Sequence, residues 1–122
     1  MAVNDRDAAT GVEKPSARGA SSGQLLYAPN GRLSVQIMTN DRSNVPTGSF
    51  DGFSSYFGRW ELVPTEGYVI HHQDGNVDPR QVGQDAKRYY SFDDAGRLSL
   101  ATPPTRRTDG RTISTVFVWE RL

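Results

Sequence analysis

From Gln24 onward the chain alternates short apolar–polar runs with turns built on Gly, Pro, Asn and Asp, and this punctuation limits its fold more than any other feature. Leu33, Val35 and Ile37 alternate with Ser34, Gln36 and Met38, the period of a strand with one apolar face. The preceding Pro29-Asn30-Gly31-Arg32 presets a turn, because Pro fixes φ and Asn-Gly accepts positive φ. Gln24–Ala28 and Leu33–Met38 are therefore expected to form a hairpin. Gly58–Val63 and Gly67–Gln73 follow as a second pair across Pro64-Thr65-Glu66-Gly67. Gln84–Phe92 and Arg97–Ala101 make a third across Asp93-Asp94-Ala95-Gly96, and Arg111–Arg121 is a last strand with apolar residues on both faces. Between the first two hairpins, Phe50, Phe53 and Phe57 fall at helical offsets, which predicts a short helix near Phe50–Tyr56. Seven strands joined hairpin after hairpin predict an all-β, antiparallel up-and-down barrel.

Residues 1–23 read differently. They hold no aromatic residue, and only Met1, Val3 and Val12 are large and apolar. Such a segment has little surface to bury against its ordering entropy, so a disordered tail is expected ahead of a barrel domain at 24–122. Composition narrows the function classes. Fourteen basic and fourteen acidic side chains give no net charge, so no nucleic-acid-binding surface is expected. Absence of Cys excludes disulfides, thiolate metal sites and thiol nucleophiles. No apolar run nears the roughly 20 residues of a membrane span, and no apolar leader stands at the N-terminus, which together predict a soluble, cytoplasmic protein with no membrane partner.

Taken in order, the segments LLYAPNGRLSVQIM, YFGRWEL, VIHHQ, GQDAKRYYSF, GRLSLATPP and VFVWERL resemble the small bacterial and fungal lipocalin-like domain family, a calycin-type barrel. The resemblance covers roughly Gly23 to Leu122. It departs from the family pattern at the start, where the usual Gly-Thr-Trp strand is missing. A barrel short of one strand leaves two open edges, and open edges recruit partners: the tail pairs weakly, the barrel closes with seven strands, or two chains associate, and of these a homo-oligomer through an open edge is the one expected.

A barrel of about eight strands has an interior that holds side chains or one small ligand. Inward polar residues are therefore the functional candidates. His71 and His72 are adjacent on a strand and must point to opposite faces. The pattern leans toward His72 as the inward imidazole, a general acid or base. Arg88 and Tyr90 share a strand face, where a guanidinium suits a carboxylate or enolate. His72, Arg88 and Tyr90 are the expected catalytic set, with Gln36, Tyr56, Trp60, Tyr68 and His71 as ligand-binding residues. Each has a plainer alternative: an ion pair for Arg88, core packing for Trp60, solvent for Gln36. Asp74-x-Asn76-x-Asp78 lacks the Gly and terminal Glu of a calcium loop, so no metal is expected. No nucleotide or cofactor motif occurs either, so no cofactor is expected. The resemblance implies a cofactor-independent cyclase or isomerase acting on a hydrophobic polyketide- or terpenoid-type intermediate. The alternatives are a non-catalytic binding module for a small apolar or aromatic ligand and a structural domain with a filled core.

Overall fold

The computed structural model describes residues 1–122. Its strands are β1 (Ala2–Asp7), β2 (Glu13–Pro15), β3 (Ser21–Tyr27), β4 (Arg32–Thr39), β5 (Phe53–Val63), β6 (Tyr68–Asn76), β7 (Asp85–Phe92), β8 (Leu98–Ala101), β9 (Thr105–Arg106) and β10 (Thr112–Trp119). They form one antiparallel sheet in the order β2-β1-β10-β8-β7-β6-β5-β4-β3, with the short β9 also on β10. From β3 to β8 every strand pairs with the next in sequence, the up-and-down barrel order expected from the hairpins. The sole helical piece is a single 3-10 turn at Pro79–Gln81. No helix is long and apolar enough to cross a membrane.

Two expectations fail. The first is the disordered tail and the missing strand. Ala2–Asp7 pairs with β10 from Ala2 opposite Val118 to Asp7 opposite Ile113. Val3 is buried, facing Phe117 across the ladder. One apolar residue is enough here because the pairing supplies the backbone hydrogen bonds; Asn4 and Arg6 instead bond Glu13 of β2. β1 also touches β3, with the Met1 sulfur 3.2 Å from where a Cβ on Gly23 would stand. β1 thus occupies the β10 edge within the chain, while β3 remains a terminal strand paired with β4 alone.

The second is the helix over Phe50–Tyr56. Phe53 opens β5 and Phe50 lies in the preceding loop. Phe53 and Phe57 are four apart, a spacing that also shares one face of a strand. Gly52 at φ 71° ends any helix between Phe50 and Phe53, and pairing with β4, Met38 opposite Phe53 and Val35 opposite Tyr56, fixes the strand. Tertiary pairing outweighs a local pattern that fits both periods.

The core runs along the inward faces: Leu33, Val35 and Ile37 of β4, Tyr56 of β5, Val69 of β6, Leu100 of β8 and Trp119 of β10. The register between β5 and β6 slips at Phe57/Gly58, which leaves Asp74 as an extra residue between Gln73 and Gly75. Gly58 is required at this bulge, since a Cβ there would overlap the His72 carbonyl oxygen and stand 2.9 Å from the Asp74 nitrogen. Gly58→Ala is therefore expected to cost about 2–3 kcal/mol in urea unfolding. An unchanged midpoint would mean that the strands do not approach this closely.

Candidate functional site

Face alternation decides between the two histidines. Val69, His71 and Gln73 are the buried positions of β6, so His71 points inward and is only 1% exposed. His72 takes the outer face, where its Nδ1 lies 2.7 Å from Asp85 and its Nε2 3.9 Å from Glu61. The lean toward His72 is thus reversed. Val69 and Ile70 are both apolar, so the sequence carried no contrast between the faces at this point.

Inside, the His71 ring bridges two tyrosines. Nε2 is 2.6 Å from the Tyr27 hydroxyl and Nδ1 is 2.7 Å from the Tyr56 hydroxyl. β3, β5 and β6 each supply one ring, and the His71 ring packs at a tilt against both. Burial, reinforced by the nearby Arg88 charge, pushes the His71 pKa down to about 3. Burial likewise raises Tyr27, with Tyr56 adding to it and Arg88 opposing, and burial raises Tyr56 against the same Arg88. All three are neutral near pH 7.

A neutral imidazole has one donor and one acceptor nitrogen. One phenol therefore donates to it and the other accepts from it. Tyr27 borders a wholly apolar cavity of about 220 Å³ with Trp60, Leu62, Tyr90 and Phe92, and His71 is its one hydrogen-bond partner. If Tyr27 gives its proton to Nε2, the Nδ1–H donates to the Tyr56 oxygen; the other tautomer exchanges the two roles. In the first tautomer the Tyr56 hydroxyl proton is free to point into the polar side of the barrel.

Two cavities meet there. One of about 190 Å³ lies against His71, Tyr56, Arg88, Phe117 and Trp119. Another of about 380 Å³ opens among Gln73, Asn76, Gln81, Asp85 and Lys87. Ser54, Tyr56 and Arg88 border both. Arg88 has no carboxylate partner; its one hydrogen bond runs from Nη1 to the neighbouring Lys87 carbonyl at 2.9 Å.

The other expected site residues separate. Tyr90 faces inward but belongs to the apolar cavity, one compartment away from Arg88. Trp60 borders that cavity too, and its Nε1–H ties down the Ala28 carbonyl at 2.9 Å, fixing the β3–β4 turn. Tyr68 does not reach the interior. It shares the outer face with His72, packs edge-on to Tyr89 and lies 4.3 Å under the Lys87 ammonium. Gln36 also takes the outer face of β4, bonded to Ser34 and Gln24. Both expectations fail because a strand residue two away from an outward one is outward as well. Tyr27 was missed, although it stands two residues from Leu25 on the same strand face as a phenol with nowhere polar to go but inward.

No curated protein matches the chain. A family model described as a lipocalin-like domain matches residues 3–122, β1 included, and this match, together with the barrel just described, means that the chain belongs to the lipocalin-like domain family, a β-barrel module for binding small molecules.

Proposed function

We propose that the barrel binds a small, mostly apolar molecule by an oxygen-bearing end placed at Arg88 and Tyr56. The observation that carries this reading is that Tyr56, held by the His71 ring that also bonds Tyr27, borders the same cavity as Arg88, which has no carboxylate partner. Leu25, Val35, Ile37 and Leu100 supply the apolar wall for the rest of the ligand. A few polar anchors in an apolar cavity are the usual form of a small-molecule site.

The convergence of Tyr56 and Arg88 favours a second, catalytic reading on the same residues. A cofactor-independent cyclase or isomerase for a hydrophobic polyketide- or terpenoid-type intermediate needs charge stabilised on a carbonyl oxygen as it enolises or closes a ring. A fixed phenol and a guanidinium do that without reorganising, and the cavity holds the reactive chain folded. His71 is a poor base for such a step, because both its nitrogens are engaged and its pKa is about 3. Its part is to orient Tyr56.

Deuterium exchange at the carbon between the carbonyls of a small aryl 1,3-diketone tests both readings. Binding without catalysis gives saturable quenching of tryptophan fluorescence and an unchanged exchange rate. Catalysis gives exchange at least about tenfold faster than in buffer, lost in Tyr56→Phe. If neither quenching nor exchange depends on Tyr56 or Arg88, the site is misplaced.

A further inference from the structure

We propose that the ligand of this barrel is an organic monoanion whose charged end sits between two guanidinium groups, Arg88 of β7 and Arg18 of the segment leading from β2 into β3. The proposal rests on the small-molecule reading above and adds the ligand's charge and a second anchoring residue.

The cavity against His71 is bordered by both Arg88 and Arg18 and by no Asp or Glu. Acidic and basic side chains balance overall, and seven of the twelve arginines, Arg6, Arg32, Arg59, Arg80, Arg97, Arg107 and Arg111, have a carboxylate within 4 Å. Of the five without one, Arg18 and Arg88 are the two that border this cavity. Arg88 bonds only a main-chain carbonyl, and the Arg18 guanidinium lies 5.7 Å over the ring of Phe117, an inward residue of β10. Two like charges beside one cavity repel each other, and the half-buried Arg88 also loses hydration there. A neutral ligand leaves both costs in place, whereas a carboxylate or enolate offsets them and accepts charge-assisted hydrogen bonds.

Arg18 is held at the rim by the segment that was expected to be disordered. The Ser16 N–H bonds the Val3 carbonyl of β1 at 2.9 Å, and the Gly19 N–H bonds the Ser16 carbonyl at 3.2 Å. Gly19 turns the chain at φ 83° just after Arg18. A further donor stands in the same wall: the Trp119 Nε1–H is buried without any hydrogen-bond partner. Beyond Ser54, Tyr56 and His71 the walls are Leu25, Val35, Ile37, Leu100 and Phe117, so the rest of the anion is hydrocarbon or aromatic.

Octanoate and 1-octanol share a chain and differ in charge, and calorimetric titration of the full chain with each is the test. Octanoate is expected to bind at least about tenfold more tightly than octanol. Arg88→Gln is expected to bring the two within about twofold, and Arg18→Gln to weaken octanoate about three- to fivefold while leaving octanol unchanged. Arg18 is exposed, so its variant keeps the test open if Arg88→Gln does not fold. Equal binding of octanoate and octanol overturns the anion proposal and leaves the small-molecule reading standing. Binding of neither overturns both. Unchanged octanoate affinity in Arg18→Gln overturns the two-guanidinium site.

Discussion

Lowering the pH from 6.5 to 4 is expected to cost the folded protein roughly 3 kcal/mol of stability through His71 alone. The imidazole has a pKa near 6.5 when unfolded and about 3 in the barrel, where burial and the Arg88 charge disfavour its cation. Between those values the unfolded chain binds a proton that the folded chain refuses. Stability is therefore complete above pH 6.5, falls steadily on acidification and levels off below about pH 3. Asp74, Asp78, Asp93 and Asp109 are held below the usual carboxylate range by hydrogen bonds from Arg59, Arg80, Arg97 and Arg111. What they contribute begins to be lost only as pH falls below about 5, so the window from pH 6.5 to 5 belongs to His71. Urea unfolding at pH 7, 5.5 and 4, in a His72→Gln background that removes the other imidazole, measures the slope. Adding His71→Gln is expected to flatten it and to lower stability at pH 7 by about 1–3 kcal/mol, because an amide cannot serve both phenols in the ring's geometry. A flat profile with His71 present would mean that the ring is not held neutral between Tyr27 and Tyr56, and the orientation of the Tyr56 hydroxyl would lose its basis.

The barrel was legible where one face of a strand is apolar and a turn residue marks its end. Leu33, Val35 and Ile37 lie on the inner face of β4, and the Pro29–Arg32 turn sets Tyr27 opposite Leu33. Local pattern failed where tertiary pairing chooses between two periods, as at Phe53 and Phe57. It failed again where both faces of a strand carry similar residues. His71 and His72 had to point apart, but Val69 and Ile70 gave no sign of which face was buried. The inward placing of Arg88 was legible from its alternation with Ala86 and Tyr90 on β7. Its company was not, because Tyr56 and Arg18 reach the cavity from β5 and the β2–β3 segment, 32 and 70 positions away from Arg88. Only the closure of the sheet brings them together.

A chain beginning at Gln24 is expected not to give a cooperatively folded monomer. Its apolar content resembles that of the whole protein, since residues 1–23 contribute little of it. What it loses is the partner of β10. Ala2–Asp7 covers the edge of β10 from Ile113 to Val118, and that strand holds Val116, which is 0% exposed, and the buried Ile113 and Ser114. Removing β1 leaves a row of backbone donors and acceptors unpaired beside an apolar strand, the kind of edge that recruits a second copy or aggregates. The loss is on the order of 5 kcal/mol, comparable to the whole stability of a small domain. Near-ultraviolet circular dichroism is expected to lose the signal of a packed Trp119, and size-exclusion chromatography to show association that the full chain does not. A point substitution separates the strand from the segment that follows it: Val3→Asp places a charge against Phe117 in the core and is expected to cost about 3 kcal/mol, while Lys14→Gln on the outer β2 should change stability by less than about 0.5 kcal/mol. If the chain from Gln24 instead melts as a monomer within a few degrees of the full one, β1 is an ornament on a barrel that closes without it, and Arg18 has no fixed place at the cavity rim.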